Sequence, residues 1–155
     1  MRLLLAISVL SLDLPSCASQ LPLARSSGAS FSEEGVLLAV VNQSCQPSGH
    51  EKPARKPGLD ATFGVEVGNP SRDPVTVDQT KFLLVVSDGA PVSTSTTEAV
   101  HPFTVEPGTT SRFLVRFVAG GRCSQEMQLL PNSAIEAGGR AIDIAPVRFV
   151  PAEPH

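Results

Sequence analysis

Thr110-Ser111-Arg112-Phe113-Leu114-Val115-Arg116-Phe117-Val118 is the stretch on which the fold turns. Successive side chains of an extended chain point to opposite faces. Phe113, Val115 and Phe117 therefore share one face, and Arg112, Leu114 and Arg116 share the other. That alternation reads as a half-buried β-strand. Glu106-Pro107-Gly108 ahead of it is a turn signal, and Gly120-Gly121-Arg122-Cys123 after it is another. Working backwards, Phe63, Val65 and Val67 alternate with Thr62, Gly64, Glu66 and Gly68 in the same way. Asn69-Pro70-Ser71-Arg72-Asp73-Pro74 breaks that ladder, since its prolines have no N–H to donate. Val75 and Val77 resume the alternation. Lys81 to Ser87 is apolar on both faces, as a central strand would be, and closes on Asp88-Gly89.

The remaining segments fit the same scheme. Gly35 to Val41 is a compact apolar run of strand length, and Val100 to Val105 reads as an edge strand because of Pro102. Glu126 to Leu130 follows, then a Pro131-Asn132 turn. Ser133 to Ala137 has room for a single helical turn before Gly138-Gly139 stops it, and Arg140 to Val150 is a final strand broken at Pro146. With 14 Pro, 12 Gly and no amphipathic helix, the chain is expected to be all-β, a β-sandwich of about seven short antiparallel strands. Two loops stand out, the Pro- and Gly-rich 46–58 and the Ser/Thr-rich 90–98.

The first residues have a different character. Arg2, the apolar run Leu3 to Leu12 and Ser16-Cys17-Ala18 are the three parts of a signal peptide, and the run is too short to span a bilayer. Leu14-Pro15-Ser16-Cys17 resembles the lipobox of bacterial lipoproteins, with Pro15 and Asp13 as departures. That resemblance implies acylation of Cys17 and, with Ala18 next, outer-membrane sorting. Ordinary cleavage after Ala18 is the competing reading. The expected organisation is a signal peptide over 1–16, a tether over 17–34, the sandwich over 35–150 and a tail over 151–155. Export puts Cys45 and Cys123 in an oxidising compartment, where only one intramolecular pairing is open to them; two reduced thiols are the alternative.

Chemistry is sparse. The three histidines are His50 in a proline-rich loop, His101 ahead of Pro102, and the terminal His155, and there is no Gly-x-Ser-x-Gly elbow. A cupredoxin-type site is disfavoured because Ser124-Gln125-Glu126 between Cys123 and Met127 lacks a second histidine. Glu33-Glu34 reads as a solvated pair. The net charge of −3, with cations spread singly, gives no footprint for nucleic acid. With no Trp and no Tyr, the aromatic platforms of sugar- and single-strand-binding surfaces are missing. The one cationic cluster is His50, Lys52, Arg55 and Lys56, offset by Glu51.

The run Phe63 to Val77, then Phe82 to Gly89, then Val105-Glu106-Pro107-Gly108 before Phe113 to Phe117 is similar to small immunoglobulin-like domains of bacterial envelope and secreted proteins. Those domains share an Asn-x-Ser turn leading into Pro-Val-x-Val, an Asp-Gly hairpin and a Pro-Gly turn before a long strand. The resemblance covers roughly Thr62 to Val118, and Ser124 to Arg140 departs from it. It implies adhesion, scaffolding or assembly with an envelope protein, and in a few members protease inhibition. The expectation is therefore a non-catalytic exported protein without a cofactor, at the outer membrane or in the periplasm, presenting loops or an exposed strand edge to a partner protein, with His50, Lys52, Arg55 and Lys56 as the candidate contact loop. The alternative is a protease inhibitor presenting 46–58 or 90–98.

Overall fold

A computed structural model describes residues 28–48, 57–95 and 100–151. Among the described residues there are twelve strands: β1 Gly28–Phe31, β2 Leu37–Pro47, β3 Gly58–Asn69, β4 Val75–Val77, β5 Leu83–Val86, β6 Val92–Ser93, β7 Phe103–Val105, β8 Thr109–Gly120, β9 Met127–Leu130, β10 Ile135–Ala137, β11 Arg140–Ala141 and β12 Val147–Phe149. They form three antiparallel sheets of four, in the orders β1-β2-β3-β8, β11-β10-β4-β7 and β12-β9-β5-β6. Among the described residues there is no α-helix, only a 3-10 turn over Gln79–Lys81, whose N–H at Thr80 is capped by Asp78. The all-β expectation holds, in an arrangement compatible with a sandwich.

The alternation in the sequence sets the layers. Leu59, Ala61, Phe63, Val65 and Val67 of β3, Val115 and Phe117 of β8, and Leu38 and Val40 of β2 point inward, all essentially without solvent contact. Val75, Val77, Val105 and Ile135 from the second sheet and Leu84, Met127, Leu129, Val147 and Phe149 from the third complete one core. Phe63 sits at its centre, its ring 5.0 Å from Phe149 edge-on and 6.1 Å from Phe117. A buried phenylalanine of this kind contributes roughly 3–5 kcal/mol relative to alanine.

Two turns recognised in the sequence turn out to be one unit. Asn69 is 1% exposed, yet its side chain is fully engaged. Its amide donates to the carbonyls of Asp73 (2.8 Å) and Val105 (3.0 Å), and its oxygen accepts from the Ser71 N–H (3.0 Å) and hydroxyl (2.6 Å). Its backbone carbonyl accepts from Gly108 at 2.7 Å. Gly108 has φ +71 and the Thr109 N–H closes on Glu106, so Pro107-Gly108 forms the turn that needs a glycine in third place. The Asn-x-Ser and Pro-Gly signals thus mark two ends of a buried polar junction.

Several expectations are corrected. Twelve strands replace about seven, because single runs divide: Arg140 to Val150 becomes β11 and β12, and the loop 90–98 contributes β6. Gly28–Phe31, within the expected tether, is a strand paired with Leu37–Val40, joined by a turn in which the Val36 N–H donates to the Ser32 hydroxyl (3.1 Å) and Glu33 and Glu34 are exposed. Ser133 to Ala137 makes no helical turn. Gly138 and Gly139 both have positive φ (+56 and +77), which makes them the two-residue turn of the β10–β11 hairpin rather than a helix stop. The turn after β5 also sits one residue early: Gly89 donates to Val86, with Ser87 at φ +51. Val100 to Val105 does lie at a sheet edge, shortened to β7 after Pro102.

Candidate functional site at the disulfide end

The long strands β2, β3 and β8 run out together at one end of the first sheet. Cys45 is opposite Ala61, which is opposite Phe117, and three residues further along the ladder Gly58 is opposite Gly120. Past that edge the chain turns and Cys123 returns to bond with Cys45, their Cα atoms 5.7 Å apart. The disulfide expected from cysteine counting is present in the structure. Both ends of the 46–58 loop are also fixed here, since Ser48 donates to the Gly58 carbonyl (2.9 Å) and Gly121 donates to that of Pro57 (2.8 Å).

The corner from Gly120 to Gln125 is built tightly. Gly121 has φ +127, and a Cβ there would lie 2.7 Å from Cγ1 of Val86 and 2.8 Å from Oε1 of Gln125. Only glycine fits both the backbone angle and the space. The Arg122 N–H donates to Oε1 of Gln125 (2.7 Å), and the Gln125 N–H donates back to the Arg122 carbonyl (3.1 Å). This clasp leaves the Arg122 side chain exposed.

Two clefts flank the corner and meet at Gly120. One, of about 400 Å³, is lined by Pro57, Gly120, Gly121, Arg122, Ser124 and Gln125. The other, of about 320 Å³, is apolar, lined by Leu84, Val86, Ala90, Val92, Ala119 and the adjoining glycines. Together they offer an apolar slot beside backbone polar groups and one cation, a combination suited to seating a side chain and hydrogen-bonding its flanks.

Electrostatically the end is bordered by the pair of Asp60 and Arg116, in which Nε of Arg116 reaches Oδ1 at 2.9 Å and its terminal nitrogen reaches Oδ2. The hydrogen bond from Arg116 holds the Asp60 carboxyl below its usual value, and the same contact raises Arg116. In a separate pair Lys81 bonds Glu136 at 2.8 Å, which raises its ammonium.

The sequence-predicted site residues fare unevenly. Cys45 and Cys123 come together. Lys52, Arg55, Lys56 and His50 lie outside the described residues, although the ends of their loop are placed at this corner. Cys17, with the signal-peptide and most of the tether segments, and His155 also lie outside them. Of 90–98, residues 90–95 border the apolar cleft and β8, with Ser95 donating to the Arg116 carbonyl at 2.7 Å. His101 is exposed. Among the described residues no group of three or more His, Cys, Asp or Glu is placed to hold a metal ion. The sequence marks this corner as a turn, and Gly120-Gly121-Arg122-Cys123 within it carries the further signal, because a glycine pair beside a cystine marks close backbone approach.

No protein-family model matches the chain, and no curated protein matches it. Solved structures do resemble it. A crystal structure described as a functionally unknown protein from Listeria monocytogenes EGD-e superposes with a TM-score of 0.50 at 17% identity, over 83% of this chain and 85% of that one. An X-ray structure of a structural-genomics target designated SoR45 gives 0.44 at 11% identity, over 81% of this chain and 96% of that one. The first likeness is one of fold alone.

Proposed function

We propose that the protein is a non-catalytic exported module, an immunoglobulin-like β-sandwich, that binds a partner protein of the cell envelope with its disulfide end. The observation that carries this reading is the cystine-clasped corner, where two clefts adjoin the fixed ends of the longest loop. Loops held by a rigid scaffold are where binding is usually carried, and fixing their ends lowers the entropy lost on association. Anchoring through acylated Cys17 keeps the module at the outer membrane; cleavage after Ala18 releases it to the periplasm or the medium.

Affinity capture from cross-linked envelopes tests the binding role. The wild-type chain is expected to enrich a stoichiometric partner, and Ser124→Trp, which fills the larger cleft, to lose it while melting normally. Equal capture by both, or no partner at all, overturns the reading. Fatty-acid labelling abolished by Cys17→Ala tests the anchor separately. A second reading, protease inhibition by 46–58, is favoured by one specific feature: the disulfide and the Ser48–Gly58 hydrogen bond hold the loop ends together. Absence of inhibition across serine, cysteine and metalloproteases at micromolar concentration removes it.

A further inference from the structure

The outer face of the first sheet differs from a solvated one. Across β3 and β8 the outward-facing neighbours are Glu66 with Arg112, Gly64 with Leu114, Thr62 with Arg116 and Asp60 with Val118. The β3 column therefore holds the acids and a glycine, while the β8 column holds the bases and the protruding apolar side chains. Leu114 is 66% exposed and Val118 50%, whereas Gly64, directly beside Leu114, is buried. Nε of Arg112 lies 2.5 Å from Oε2 of Glu66, and Arg116 reaches diagonally to Asp60. All four charges are compensated within one chain, so desolvating this face strands no lone ion.

We propose that this face is the contact between two copies of the chain, packed about a two-fold axis running parallel to the strands, midway between β3 and β8. Rotation about that axis sets β3 of one copy over β8 of the other. Leu114 then lies over the partner's Gly64 and the reverse, so that each protruding side chain meets the strand position that carries none, as an isologous contact requires. Arg112 comes over the partner's Glu66, and Arg116 comes over the partner's Thr62, next to the partner's Asp60. A two-fold axis across the strands would instead stack β3 on β3 and acid on acid, so the charge pattern selects the parallel axis. Two strands of this length present a patch of about 40 Å by 10 Å. That is small for a specific interface and places the dimer at the weak, micromolar end.

Sedimentation equilibrium of the purified chain from about 5 to 500 µM, a range chosen for a weak interface, tests this. The mass is expected to rise from one copy toward two. Leu114→Glu, at an exposed position that leaves the fold intact, is expected to raise the dissociation constant at least about 30-fold. Arg112→Glu weakens the dimer as well, and the reversed pair Glu66→Arg with Arg112→Glu restores it. Val150→Ser, an exposed apolar residue elsewhere, leaves it unchanged. A one-copy mass across the range, or equal effects of Leu114→Glu and Val150→Ser, overturns the proposal.

Discussion

Opening the Cys45–Cys123 bridge should cost the protein a large part of its stability without altering the sheets. The bridge closes a loop of 78 residues, and the chain-entropy relation for a loop of that length gives about 4.5 kcal/mol at room temperature. Most of this acts on the unfolded chain, because in the native state β2, β3 and β8 already bring Cys45 and the end of β8 together by continuous pairing. Against a typical total of roughly 5–15 kcal/mol, the reduced protein is left with a thin margin. The assay is equilibrium unfolding in guanidinium at fixed redox conditions, comparing the oxidised chain, the reduced chain and Cys45→Ala/Cys123→Ala. The reduced chain should lose about 4–5 kcal/mol and show a larger denaturant slope, since an uncrosslinked denatured chain exposes more surface. The double alanine variant should lose up to about 1 kcal/mol more, because Cys45 belongs to the buried core and its sulfur leaves a small void. A loss on reduction below about 1 kcal/mol would refute the reasoning, showing that the denatured chain gains little freedom from the break.

Three other outcomes follow from particular groups. Asn69→Ala should destabilise by about 2–4 kcal/mol in the same assay, since it leaves the buried carbonyl of Val105 and the Ser71 N–H without partners. Gly121→Ala should cost about 2 kcal/mol or more through positive φ and contact with Val86, and wild-type stability in that variant would contradict the geometry of the corner. For pH, the carboxyl of Asp60 is lowered in the folded chain, so its contribution is present above the ordinary carboxylate range and is lost as pH falls through the lowered value. Arg116→Leu should remove that acid-side loss from the stability profile, and an unchanged profile would exclude the pair as its source.

The extended segments were legible because one face of each is buried and the period of two survives in the residues; Phe63 to Val67 and Phe113 to Phe117 needed no tertiary information. The polar junction was half legible. Asn69 and Pro107-Gly108 announced turns, but that the Asn69 amide spans to Val105 depends on a contact between distant segments that no local pattern encodes. β10 was missed because Ile135-Glu136-Ala137 is too short for periodicity to distinguish a strand from a helical turn. Its pairing with Val75–Val77 decided the matter. The cystine could be inferred by counting, whereas the clefts beside it could not, since Leu84, Val86, Val92 and Ala119 converge only after β5, β6 and β8 have packed.

The bridge ties a residue of the core, Cys45, to one of the corner, Cys123. The core around Phe63 includes Cys45, and it is held by apolar contacts from all three sheets. The Gly120 to Gln125 corner has few such contacts and depends on Gly121, the Gln125 clasp and Cys123 for its shape. Local stability follows local contact density, so reduction should first loosen this corner while amides of β3 stay protected. Hydrogen exchange on the reduced chain, below its unfolding temperature, is expected to show exchange rising at Gly121 and Gln125 well before Val65 or Val115. If all four exchange together, corner and core form one cooperative unit. A binding surface at the disulfide end would then depend on redox conditions only through whether the whole chain is folded.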